Sequence, residues 1–207
     1  GLHRLAHLEV LQRIHPDFCF NEKVLEELEA LREAISWYEA LKQKDPITSW
    51  IVFFFPFAAQ IPPTGLRRLC QRLHLREEHS RLLHTAVSDV DSLIEFLDQD
   101  SLRPSVIYEK LEPYPKELLV WAYARGNSRC RNFLTQFLYQ WRHVETQIRG
   151  RDLIARGYRP GPAFGRALRQ ARAARLDGIA RSYADELQIA EQVLRGNAPH
   201  QIGNPGN

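Results

Sequence analysis

Apolar side chains in this chain recur every three or four residues and nowhere alternate with polar ones over the length of a strand. That period puts them on one face of a helix, whereas a half-buried strand would need a period of two. Leu2, Leu5, Leu8 and Leu11 open the pattern and predict a helix over 2–14, ending before His15-Pro16, where proline disfavours continuation. Asn21, with the acids Glu22, Glu26 and Glu27 behind it, marks the start of a long helix to about Lys44 with Val24, Leu25, Leu28, Leu31, Ile35, Tyr38 and Leu41 on its buried side. Asp45-Pro46 opens a stretch that is apolar nearly all round (Trp50, Ile51, Phe53, Phe54, Phe55, Phe57), expected to form the central core helix. Further helices are expected after the breaks at Ile61–Thr64 and Ser101–Pro104. They include 104–111, 116–124 and, past a Gly126-Asn127 turn, 128–147. The fold class is therefore all-α, a multi-helix bundle-like body followed by a C-terminal helical tail, with no sheet.

A seam near Gln99–Pro104 separates a first helical body, residues 1–100, from a second helical part, residues 101–196, and the Gly/Asn/Pro-rich 197–207 reads as a disordered tail. The chain contains no Met and begins directly on an amphipathic pattern, so Gly1 is expected to be an internal residue of a longer protein. The most apolar run, 47–59, contains Pro56 and falls short of the ~20 residues a membrane span requires. Cys19, Cys70 and Cys130 are odd in number and widely spaced, which favours neither a disulfide framework nor a zinc knuckle and fits a reducing, cytoplasmic setting.

The net charge of +3 hides an uneven distribution: within 151–181 eight arginines face only Asp152 and Asp177. This basic run lies inside GRDLIARGYRPGPAFGRALRQARAARLDG, residues 150–178. Arg159 and Gly161 each precede a proline and are pushed away from helical geometry, while Pro162 suits a first helical position. At ~100° per residue, Ala163, Phe164, Ala167, Leu168, Ala171 and Ala174 share one side of the resulting helix and Arg166, Arg169 and Arg172 the other. Asp177-Gly178 supplies the stop, Gly178 in the left-handed position. A helix N-terminus, open backbone at Gly161 and Gly165, and the guanidinium groups of Arg159, Arg166, Arg169 and Arg172 form a set suited to an anion, above all phosphate. Tyr158 and Tyr183 are candidates for stacking on bases. From the residues alone, nucleic-acid contact and an ordinary solvated helix face are equally good readings.

No catalytic or metal residue is assigned. Asp89 and Asp91 have the spacing of a two-metal carboxylate pair but sit in a helical pattern, where residues two apart diverge by about 200°. His3 and His7 lack the intervening Glu and third ligand of a zinc site, and His79 and His84 are five apart with no His-Asp dipeptide in the chain. There is no G-x-S-x-G elbow.

The GRDL and PGP-x-x-G portions of residues 150–178 resemble the C-terminal signature of the bacterial tRNA nucleotidyltransferases, the CCA-adding and A-adding enzymes with the related poly(A) polymerases. The likeness continues in PSVIYEKLEP (Pro104–Pro113) and, less specifically, in Ile61–Leu75 and Leu2–Phe18. It implies that the chain is the neck end, body and tail of such an enzyme, with tRNA as partner and no membrane association. The catalytic head would be covalently attached in the parent protein, and Mg with ATP or CTP would be expected only there, so that this chain needs no cofactor and is inactive alone. It further implies that Arg159, Gly161, Gly165, Arg166, Arg169 and Arg172 touch RNA. Ile179-Ala180-Arg181 stands where the family often has an acid, which leaves open whether the parent adds CCA or only A. An alternative is a helical protein-interaction module whose basic helix binds an acidic partner.

Overall fold

A computed structural model describes residues 13–16 and 18–196. The helix expected over 2–14 therefore lies outside the described residues except for Arg13 and Ile14, which are helical, and so do His3, His7 and the tail 197–207. In chain order the helices are α1 (Glu22–Ala40), α2 (Ser49–Val52), α3 (Phe55–Ala58), α4 (Pro63–Arg72), α5 (Glu77–Leu97), α6 (Pro104–Leu111), α7 (Lys116–Arg125), α8 (Ser128–Tyr139), α9 (Gly150–Ala155), α10 (Pro162–Leu176) and α11 (Tyr183–Gly196). No strand occurs among the described residues, as the all-α reading requires. The contacts divide the chain into two units, 1–100 with 111–138 and 101–110 with 139–207.

In the first unit, the Asn21 side chain accepts the Val24 N–H at 3.0 Å and caps α1, which buries Val24, Leu28, Leu31, Ala34, Ile35 and Tyr38. The helix stops at Ala40, four residues before the expected end, where the Leu41 N–H turns back to Trp37 and Tyr38 and Lys42 adopts φ 51°. The apolar stretch after Asp45 is not one helix. It forms the single turns α2 and α3, because Pro56 has no N–H to donate and its ring crowds the carbonyl four residues back. Trp50 is 48 % exposed, while Ile51, Val52, Phe55 and Phe57 still enter the core.

The central helix is instead α7, in which Glu117 through Ala122 are all buried and which packs against α1, α2 and α5. Trp121 stacks on Phe55 with centroids 4.9 Å apart. The buried Glu117 carboxylate accepts the Thr48 N–H that opens α2. Between α7 and α8 the chain passes through Gly126, where a Cβ would fall 2.5 Å from Cys130 Sγ and 2.7 Å from the Ala122 carbonyl oxygen. Asn127 then caps α8 by accepting the Cys130 N–H at 2.9 Å. The helix expected over 128–147 ends at Tyr139, followed by a 3-10 turn over Trp141–His143.

In the second unit α10 and α11 pack side by side. Phe164, Ala167 and Ala171 of α10 meet Leu187, Ala190 and Leu194 of α11, with Ile148 and Leu153 completing the core. The alanines Ala167, Ala171 and Ala190 keep side-chain bulk between the two helices small. The start of α11 is fixed by Asp185, whose carboxylate accepts the Arg181 and Ser182 N–H groups at 2.9 Å while the Ser182 hydroxyl accepts the Asp185 N–H. Those bonds, the Arg181 N–H foremost, hold the Asp185 carboxyl below its ordinary value.

Candidate functional site

The segment 150–178 is built from two short-range devices repeated. Both α9 and α10 end on a glycine in the left-handed region, Gly157 at φ 87° and Gly178 at φ 72°. At each, the glycine N–H returns to the carbonyl three residues back and the next N–H to that five residues back: Gly157 to Ile154 and Tyr158 to Leu153, Gly178 to Arg175 and Ile179 to Ala174. These are Schellman ends, and they satisfy carbonyls the helices leave over. At the front of α9, the Asp152 carboxylate accepts the Arg149 N–H at 2.6 Å. The Gly/Pro turn 157–161 is thereby pinned on its α9 side.

The sequence-predicted faces of α10 are reproduced. Phe164, Ala167, Ala171 and Ala174 are buried, Ala163 and Leu168 partly so, and Arg166 and Arg169 are exposed together with Arg159 and Gly161 of the turn. Gly161 is extended (φ 175°) with open space around its Cα, and Gly165 lies beneath Arg169, whose Nη1 would be 3.5 Å from a Cβ there. Pro162 starts the helix and no side chain caps it. Arg159, Gly161, Gly165, Arg166 and Arg169 are thus all exposed, in the turn before α10 and along its first two turns. Arg172 sits deeper: its Nη1 donates to Tyr108 Oη at 2.9 Å and its guanidinium lies over that ring, 5.6 Å from the centroid. Tyr158 also has a packing role, against the unit's core and with its hydroxyl accepting from Arg195 Nε at 3.3 Å. Tyr183 is 41 % exposed.

Two acids to which the sequence assigned no organising role hold the surroundings together. Asp177, read only as part of a stop signal, accepts both the N–H and the hydroxyl of Ser105 at 2.9 and 2.8 Å and lies 3.5 Å from Arg103. It therefore caps α6 from the far end of α10. Glu186 is fully buried; its Oε2 accepts the Gln147 and Ile148 N–H groups at 2.7 and 3.1 Å, and its Oε1 pairs with Arg175. A capping pattern could have flagged Asp177, but nothing local marks Glu186, whose partners are up to 39 residues away.

Asp89 and Asp91 do not converge. Asp91 pairs with Arg125 at 2.9 Å, while Asp89 takes the Ser88 hydroxyl, so the two carboxylates do not fit a shared metal. Among the described residues no group of three or more His, Cys, Asp or Glu is placed to hold a metal ion, and no helix is long and apolar enough to cross a membrane.

No family model matches the chain. Over 196 residues, 92 % of its length, it is 28 % identical to an A-adding tRNA nucleotidyltransferase of Geobacter sulfurreducens. In sequence the chain is similar to the tRNA nucleotidyltransferases. The fold agrees. A Thermotoga maritima CCA-adding enzyme complexed with tRNA(CCA) matches 94 % of the chain with a TM-score of 0.76 at 20 % identity. A CCA-adding enzyme solved with ATP matches the same share with a TM-score of 0.74. The chain spans 22 % of the length of the A-adding relative and 46 % of each of these CCA-adding enzymes. The sequence comparison thus reproduces the resemblance read from GRDL and PGP-x-x-G, and the structural matches agree with it in fold.

Proposed function

We propose that this chain is the RNA-holding body and tail of a tRNA nucleotidyltransferase, presenting the tRNA 3′ end to a catalytic head carried elsewhere in the parent protein. The observation that carries the reading is the exposure of Arg159, Arg166 and Arg169 along with the open backbone of Gly161 and Gly165. Guanidinium forks and a helix N-terminus together match the phosphate backbone, and duplex RNA is recognised mainly through phosphates and 2′-hydroxyls rather than base edges. The similarity to an A-adding enzyme and to a CCA-adding enzyme solved with tRNA supports tRNA as the ligand class. Arg172 contributes from a deeper position, its orientation fixed by Tyr108. In this reading Mg and ATP or CTP belong to the head, and the parent works in the cytoplasm.

The test is tRNA binding by the 207-residue chain, followed by fluorescence anisotropy across a salt series. Wild type binds with a steep inverse dependence on salt, and Arg159→Ala, Arg166→Ala and Arg169→Ala each flatten the log–log slope by about one unit. Arg172→Ala is measured with a thermal melt alongside, because it also removes the Tyr108 contact. Equal affinity and slope in the triple variant would overturn the assignment of these arginines. Association that depends on protein concentration and needs no RNA would favour an acidic protein partner instead.

A further inference from the structure

A second basic surface lies in the first unit, on helices that the reading above leaves without a role. The outer side of α4 and the facing part of α5 line an open groove of about 420 Å³ formed by Pro63, Thr64, Arg67, Arg68, Gln71 and His84. All five side chains other than that of Pro63 carry hydrogen-bonding groups, and none is a carboxylate. Arg67 and Arg68 are exposed, and among the described residues neither takes part in a hydrogen bond or an ion pair. The acids nearest in sequence are already engaged: Glu77 pairs with Arg81 at 2.9 Å, and Glu78 lies within 3.8 Å of both Arg76 and His79.

The inner side of α4 explains why the arginines stand as they do. Leu66, Leu69 and Cys70 are buried, which fixes the roll of the helix and turns Thr64, Arg67, Arg68 and Gln71 outward. Two adjacent arginines diverge by ~100° around a helix, so they line a groove from two directions rather than stacking on one spot. Unpaired guanidinium groups beside a hydroxyl, an amide and an imidazole form a donor-rich recess, and a phosphodiester is an acceptor-only ligand of matching sign. Arginine in place of lysine favours the fork geometry that grips two phosphate oxygens at once.

We infer that the α4–α5 groove is a second phosphate-backbone contact for the same RNA, with Arg67 and Arg68 as its principal ligands and Thr64, Gln71 and His84 as supporting donors. This rests on the tRNA-holding reading, and it adds a binding site on the first unit to the one on the second. No base is read there; the groove contributes affinity and salt dependence.

The experiment compares wild type, Arg67→Ala/Arg68→Ala, Arg67→Lys/Arg68→Lys and the triple Ala variant of Arg159, Arg166 and Arg169, all as the full chain, for binding to a tRNA transcript across a potassium chloride series. The double Ala variant is expected to bind about tenfold more weakly at moderate salt and to lower the salt slope by about two, while the double Lys variant recovers most of the slope but less of the affinity. A second readout needs no substitution: tRNA should protect His84 from carbethoxylation by diethyl pyrocarbonate, read by peptide mass spectrometry against His143, which lies in the other unit. Unchanged slope and unprotected His84, in a chain whose triple variant does lose tRNA, would overturn the groove and leave the tRNA reading standing. Loss of neither slope nor affinity in either variant would overturn both.

Discussion

Cys130 shows how a single side chain is set by its surroundings. Burial pushes its thiol from an ordinary value of 9.0 up to about 12, with Arg131 opposing the shift and Asp98 adding to it. Well below pH 9 the thiol is neutral in both folded and unfolded chains and contributes nothing to pH dependence. Between pH 9 and about 12 only the unfolded chain can ionise it, so stability falls as pH rises through that window. Urea midpoints measured at pH 8, 9 and 10 should decline, and Cys130→Ala should make the decline shallower. An identical slope in the variant would mean that other groups account for all of it. Cys70 is buried as well and Cys19 is exposed, so the three thiols differ in access despite their identical chemistry.

Among the elements, α11 depends on a residue that faces inward rather than on its apolar stripe alone. Glu186 binds two N–H groups of the extended strand of chain before α9 and the guanidinium of Arg175 on α10, linking three segments through one carboxylate. Glu186→Ala leaves the buried Ile148 N–H and the half-buried Arg175 guanidinium without their acceptor and should cost about 3 kcal/mol, seen as a drop in the urea midpoint with native helix content retained below it. Glu186→Gln keeps one acceptor oxygen but not the charge, and should fall between. This residue also explains where sequence reading stopped working. The apolar spacing in α1, α5 and α10 is repeated within one or two turns, and their faces were legible because no distant partner competes with it. Val144 and Ile148 continue a helical spacing beyond Tyr139, yet the chain there leaves the helix, and the N–H groups of 147 and 148 bond to a side chain 39 and 38 residues on. Pro56 broke the expected core helix by a local rule, and α7, buried from Glu117 to Ala122, occupies the centre with the Glu117 carboxylate accepting the Thr48 N–H.

For the whole molecule, charge and chemistry separate. The positive surface is legible from the arginine count in 151–181, but the division of labour within it is not: Arg175 and Arg172 stabilise the fold while Arg159 and Arg169 face solvent. The carboxylates that might suggest nucleotidyl transfer are committed to Arg125 and Ser88, so the chain on its own should incorporate no labelled ATP or CTP into tRNA. Incorporation above background in that assay would place a catalytic centre within these residues. The Ser105–Asp177 cap and the Tyr108–Arg172 contact tie the short helix after residue 100 to the second unit, whereas residues 111–138 return to the first. The polypeptide thus crosses between units three times, and neither can be exchanged between homologues as one uninterrupted cassette. A recombination that swaps everything after residue 138 delivers a foreign Asp177 and Arg172 to a resident Ser105 and Tyr108. Such chimaeras should keep the wild-type melting temperature only where the donor preserves all four side chains, which makes this small quartet a compatibility code between recombined halves.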